Sequence, residues 1–192
     1  MMRTLSILAV SALAFAASLS GAKAFVSFPS QTQSSLGSET RAVEQGPMPR
    51  ELVRFDLDYA PGTVVVSTAQ RRLYLVLPGG QAIRYAVGVG RPGFEWSGVH
   101  KVSRKAEWPD WRPPAEMLKR RPDLPRFMEG GEDNPLGARA MYLGSSLYRI
   151  HGSNEPNTIG QAVSSGCIRM TNEDVQDLYE RVPVGATVVV LR

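Results

Sequence analysis

His151-Gly152-Ser153, followed by Ser164-Ser165-Gly166-Cys167-Ile168-Arg169-Met170, holds the only cysteine of the chain and one of its two histidines. The two are 16 residues apart, close enough for one compact hairpin or loop to carry both. A free thiol with a pKa of ~8.5 is mostly protonated at neutral pH, and needs a base or cation beside it to act as a nucleophile. A histidine on a neighbouring strand supplies one. The small residues before Cys167 let the backbone turn tightly and aim N–H groups at a developing oxyanion. These residue types point to a cysteine nucleophile in acyl transfer.

The rest of the chain frames that chemistry. Its 192 residues, 43% of them hydrophobic, suit one domain with appendages and a real core. The 14 prolines and 18 glycines imply many turns, as in a β-rich fold. Arg3, the uncharged apolar run from Leu5 to Leu19 and the small-x-small pattern Ala22-Lys23-Ala24 read as a signal peptide over residues 1–24. Cleavage after Ala24 leaves a mature chain beginning at Phe25 and an exported, periplasmic protein. The alternative is an uncleaved anchor, but the run is shorter than the ~20 residues a membrane span needs. No cysteine follows it to carry a lipid. Without the leader the net charge falls from +4 to +2, and no basic run is interleaved with aromatics, so no nucleic-acid partner is expected. Export also sharpens the meaning of Cys167. Cysteines in an oxidising compartment are usually paired, a lone one has no internal partner, and its polar neighbours suit a reactive group rather than a core thiol.

Along the mature chain, residues 25–54 are rich in Ser, Gln, Thr, Gly and Pro and read as a flexible arm, with folded sequence over 55–192. Thr63 to Ser67, Arg72 to Leu77 and Gln81 to Val89 form a meander. The last of these alternates, with Ile83, Tyr85, Val87 and Val89 on one face, as in a half-buried strand. Val99 to Glu107 is a further strand and carries His100, which has no partner motif and reads as a surface or packed histidine. From Trp108 to Gly137 six prolines break any long element, leaving one short helix at Pro114 to Arg120. So long an insertion suits a binding loop, in which Trp108 and Trp111 either meet a ligand or anchor the loop to the core. Arg139 to Leu143 and Leu147 to His151 read as paired strands. Thr171 caps a helix whose apolar face is Val175, Leu178, Tyr179 and Val182, and Ala186 to Leu191 closes the fold as a strand.

With these residues in place, the chain resembles the L,D-transpeptidase catalytic domain of the YkuD type. The resemblance rests on His151-Gly152, the spacer, and Ser164-Ser165-Gly166-Cys167-Ile168-Arg169-Met170, where some relatives have His in place of Ser165. Gly88-Val89-Gly90-Arg91, Asn134-Pro135-Leu136-Gly137 and the Trp108-Pro109-Asp110-Trp111 segment add to it, so that it covers roughly residues 60–192. It implies a mostly β, sandwich- or barrel-like domain with one main helix near the C-terminus and a Pro-rich insertion. It also implies a periplasmic enzyme acting on peptidoglycan stem peptides. Such enzymes attack the carbonyl of the third residue of a tetrapeptide, commonly meso-diaminopimelate, and expel D-alanine. The acyl group then passes to a second stem, a D-amino acid, an outer-membrane protein or lipoprotein, or water. The family uses neither metal nor organic cofactor, and none is expected here, since two histidines and one cysteine lack the usual ligand spacings. Reaction of the thiol with carbapenems is implied as well.

On this reading Cys167 is the nucleophile and His151 the base that later protonates the leaving amine. Gly166 and Cys167, with Ser165 nearby, are the oxyanion candidates. Arg169 supports the thiolate or a substrate carboxylate, or else pairs with Glu173 or Asp174. Gly152 or Ser153 is the group available to orient His151. Tyr85, Trp111 and Asn134 are further candidates for the substrate pocket. Two other readings stay open: hydrolysis of the same thioester, and a non-catalytic wall-binding module, for which a thiol would be superfluous.

Overall fold

A computed structural model of the chain describes residues 47–192. The stretch read as a signal peptide and most of the stretch read as an arm lie outside these residues. Alternating apolar residues build the meander as expected: β2 (Val64–Ser67), β3 (Arg72–Leu77) and β4 (Gln81–Ala86) pair antiparallel in sequence. A bend at Val87-Gly88 separates β4 from the short β5 (Val89–Gly90), so the stretch read as one strand is two. Regular structure begins earlier than the composition suggests. Glu51–Arg54 forms β1 and pairs with β4, and Phe55 N–H then donates to Gly80 O at 2.8 Å. Polar composition hid this strand because only Leu52 and Val53 mark it, and Leu52 is exposed.

The covering by β1 corrects the half-buried reading of β4. Ile83, Tyr85, Val87 and Val89 do share one face and join the main core, but Ala82 on the other face is also buried, against Phe55, Val65 and Val76. The long β6 (Gly98–Glu107) pairs with β11 (Thr187–Leu191) on one side and β7 (Arg139–Leu143) on the other. The nine-stranded sheet runs β1-β4-β3-β2-β11-β6-β7-β8-β10, with β8 spanning Arg149–His151 and β10 Ile168–Arg169. The remaining strand, β9 (Ala162–Ser164), pairs parallel with β5.

Two helices complete the described residues. The short α1 (Ala115–Arg120) lies in the proline-rich insertion, and α2 (Asn172–Arg181) packs against the sheet. Thr171 Oγ1 accepts from Asp174 N–H, the cap anticipated from the sequence. Val175, Leu178 and Val182 enter the same core as Val64, Leu73, Met141, Ile150 and Ile168. Burying each such side chain contributes roughly 1.5–3 kcal/mol. The insertion is stapled at its neck, where Trp111 and Met128 exchange backbone hydrogen bonds of 2.8 and 2.9 Å.

Tyr85 is a core residue rather than part of a substrate pocket. It is fully buried, and its hydroxyl donates to Asp177 Oδ2 on α2 at 2.6 Å. Tyr85→Phe is expected to cost about 1 kcal/mol, lowering Tm by about 3 °C, while the reaction of Cys167 with iodoacetamide keeps its rate. A slowed thiol reaction in a variant of normal Tm would return Tyr85 to the site.

Candidate active site

The site begins with strand register. β8 and β10 pair in parallel, Ile150 opposite Ile168 and His151 opposite Arg169, so Cys167 enters β10 beside the strand that ends in His151. Parallel neighbours need a long crossover. The residues between them supply it with a 3-10 turn at Pro156–Thr158 and β9, so the two groups come from adjacent parallel strands, not from one hairpin.

The turn into Cys167 is held from three sides. Ser164 Oγ donates to Cys167 O at 2.6 Å and accepts from Gly166 N–H at 3.1 Å. Gly166 has φ +109°, and an added Cβ would come within 2.6 Å of the Tyr148 ring. Trp96 stacks on Tyr148, centroids 4.2 Å apart, and its indole N–H donates to Gly166 O at 2.6 Å. In a trans peptide the C=O and N–H point opposite ways. Drawing the Gly166 carbonyl onto Trp96 therefore turns the Cys167 N–H the other way, where it has no protein partner among the described residues. Gly166 is corrected as an oxyanion donor, because its own N–H is taken by Ser164.

His151 is buried, and its Nδ1 lies 2.6 Å from Gly152 O. A carbonyl only accepts, so Nδ1 carries the proton and the Nε2 lone pair is free. Asn172 Oδ1 secures this strand end by accepting from Ser153 N–H at 3.2 Å and Ala138 N–H at 2.9 Å. A Cβ at Gly137 or Gly152 would collide with that oxygen. Burial pushes His151 down to about 3, reinforced by the Arg169 and Arg149 cations and only partly opposed by the Gly152 carbonyl. Burial likewise pushes the Cys167 thiol up, against Arg149 and Arg169. The resting pair at neutral pH is thus thiol and neutral imidazole. Sγ points to Leu147 O at 3.8 Å, with no hydrogen bond to the His151 ring among the described residues.

Arg149 escaped the sequence reading. It faces the thiol from both backbone and guanidinium, and its Nε is buried with no hydrogen-bond partner among the described residues. The only available signal was an arginine two residues before the histidine on the same strand, which periodicity does not distinguish from a solvent-facing one. Arg169 Nη2 bonds Ser153 Oγ and Glu155 Oε2, each at 2.7 Å, so its ion pair is with Glu155. Glu173 and Asp174 instead hold Arg50. Asn134 does not reach the cavity. It is buried, with Nδ2 donating to Met128 O and Glu129 O and Oδ1 accepting from Leu136 N–H, which shapes the loop end. Trp111 lines the cavity from the insertion, whereas Gly152 and Ser153 act behind His151. His100 packs edge-on to Trp96 outside it.

A cavity of about 1080 Å³ opens over Cys167 and His151, walled by Trp111, Met117, Tyr148 and Arg149 among others. Its volume suits a peptide. Among the described residues no three His, Cys, Asp or Glu side chains converge on a metal position. Because His151 is folded as the neutral base, its stabilisation is complete above its unfolded pKa of ~6.5 and is lost as pH falls from there toward about 3. Unfolding titrations should show stability falling by about 1 kcal/mol per pH unit over part of that window. His151→Gln should flatten that slope; an unchanged slope would show that another group carries the acid sensitivity.

The model of the YkuD L,D-transpeptidase catalytic domain matches residues 61–190. The "Probable L,D-transpeptidase ErfK/SrfK" of Escherichia coli K12 is 41% identical over 137 residues, covering 67% of this chain and 43% of that protein. The match therefore spans less than half of that relative's own length. Among solved structures, a Brucella melitensis chain described as a "Probable carnitine operon oxidoreductase" is 46% identical, with a TM-score of 0.51 over 75% of this chain and 94% of that one. The oxidoreductase description is that chain's own. An L,D-transpeptidase from Mycobacterium smegmatis shares the fold at 16% identity, with a TM-score of 0.55 over 68% of this chain and 58% of that one. With the family model covering most of the chain and the fold in agreement, the chain belongs to the L,D-transpeptidase catalytic-domain family of the YkuD type.

Proposed function

We propose that the chain is a periplasmic peptidoglycan L,D-transpeptidase working through a Cys167 thioester. The observation that carries this reading is His151, held in one tautomer with Nε2 free, on the strand beside Cys167 at the floor of a peptide-sized cavity. Rotation of the thiol from Leu147 O toward Nε2 as the donor enters completes the pair. Sγ then attacks the carbonyl of the third stem residue while Nε2 takes its proton. The oxyanion meets the unpaired Cys167 N–H, held outward by Trp96. Collapse breaks the bond to D-alanine, whose amine leaves with the proton from Nε2, and a thioester remains.

An acceptor amine then attacks that thioester. Nε2 removes a proton from the amine, the C–S bond breaks, and the thiol is restored. Arg149 and Arg169 favour the thiolate character that develops at Sγ. The acceptor is a second stem peptide, a D-amino acid, or an amine on an outer-membrane protein or lipoprotein. Removal of residues 1–24 at export delivers the domain to the wall.

Stem-tetrapeptide muropeptides incubated with wild type should yield crosslinked dimers by mass spectrometry, and Cys167→Ala should yield none. Loss of D-alanine without dimers would reassign the activity to hydrolysis, and no change at all would leave a binding module. Trp96→Phe keeps the stack on Tyr148 and loses the donor to Gly166 O. It is expected to slow carbapenem acylation, followed by intact mass, by about tenfold at nearly normal Tm. Full acylation rate in this variant would remove Trp96 from the positioning of the Cys167 N–H.

A further inference from the structure

The charge lining the cavity is unbalanced. Five arginines reach it, and two have carboxylate partners, Arg121 with Asp123 outside the lining and Arg169 with Glu155 within it. Arg149 lies against Cys167. The remaining two, Arg91 and Arg120, come from the loop after β5 and the last turn of α1, and both meet Phe94. Their guanidinium carbons lie 4.1 and 5.1 Å from its ring centroid. Neither has a carboxylate partner among the described residues. Of the three acids lining the cavity, Glu116 pairs with Lys119 and Glu155 with Arg169, while the Asp133 carboxylate has no ion pair among the described residues, so five arginines face three carboxylates.

Arg91 is also oriented. Its Nη1 donates to Ser165 Oγ at 3.0 Å and Ser164 O at 3.4 Å, which leaves Nε and Nη2 without partners among the described residues. Guanidinium stays charged at any relevant pH and presents its N–H groups as a fork matched to carboxylate. Two such forks meet one ring, and neither has a carboxylate partner among the described residues. The contact of Arg91 with Ser165 sets that position two residues from the nucleophile.

We propose that Arg91 and Arg120 form a carboxylate subsite, with Phe94 as their shared platform, that grips a free carboxylate of the donor stem on the acyl side of the scissile bond. This rests on the stem-peptide reading above. Two carboxylates qualify by chemistry: the branch carboxylate of the second residue and the side-chain carboxylate of diaminopimelate. The subsite makes donor choice depend on which of them is free, and makes amidation of that group a brake on acylation.

The test is kcat/KM for three donor tetrapeptides: the free acid, one amidated at the second residue, and one amidated on the diaminopimelate side chain. Wild type should lose about tenfold on one of the two amides, which identifies the carboxylate. In Arg120→Gln the preference for the free acid over that amide should shrink by about the same factor, mainly through KM, and Arg120→Lys should restore part of it. Equal losses on all three donors in Arg120→Gln, or no discrimination by wild type, would overturn the subsite. Wild type that processes none of the three would overturn the stem-peptide reading instead. The subsite would then be judged by the affinities of the same peptides for Cys167→Ala, and equal affinities would sink it.

Discussion

The register of β10 against β8 is the constraint on which the site depends. With Ile168 opposite Ile150, Cys167 and His151 end up beside each other at adjacent strands at one end of the sheet. A slip of one residue would turn Ile150 and Ile168 out of the core and exchange the faces of every neighbour. Both isoleucines are fully buried among Met141, Leu143 and Val175, so the main core enforces the register. Gly88 adds a second lock by exchanging backbone hydrogen bonds with Arg169 at 2.8 and 2.9 Å.

That placement is electrostatically demanding. Cys167 and His151 both sit where burial disfavours their charged forms. Two cations adjoin them, and these favour thiolate but oppose imidazolium. The fold thus holds the pair neutral, with the Arg149 cation beside the thiol and the Cys167 N–H without a partner among the described residues. The supporting contacts are mostly backbone: Gly152 O fixes the imidazole, Asn172 Oδ1 ties two strand ends together, and Trp96 turns a peptide plane. Each requires close approach, which explains glycine at 137, 152 and 166.

The cavity itself is the work of the insertion. Its prolines prevent a long helix, and the Trp111–Met128 staple with the Asn134 turn gives it shape without regular structure. Trp111 anchors the insertion at its neck, and it also lines the cavity wall. Tyr85 and Asn134 show the opposite outcome, where a polar side chain near the motif proved to be satisfied inside the protein.

The sequence by itself determined much of this protein. Period-two alternation marked the meander, the Thr171 cap and the i, i+3, i+4 stripe marked α2, and the His151-Gly152 and S-x-G-C-I-R-M pattern marked the family. These are local properties, written in neighbours along the chain. The tertiary structure alone decided what lies far apart in sequence: β1 closing over β4, Arg149 turned to the thiol, Arg169 paired with Glu155 rather than Glu173, and Trp96 reaching 70 residues to Gly166. Such contacts depend on how strands register and loops close. No periodicity records them, because a side chain's own stretch does not specify which distant surface it will meet.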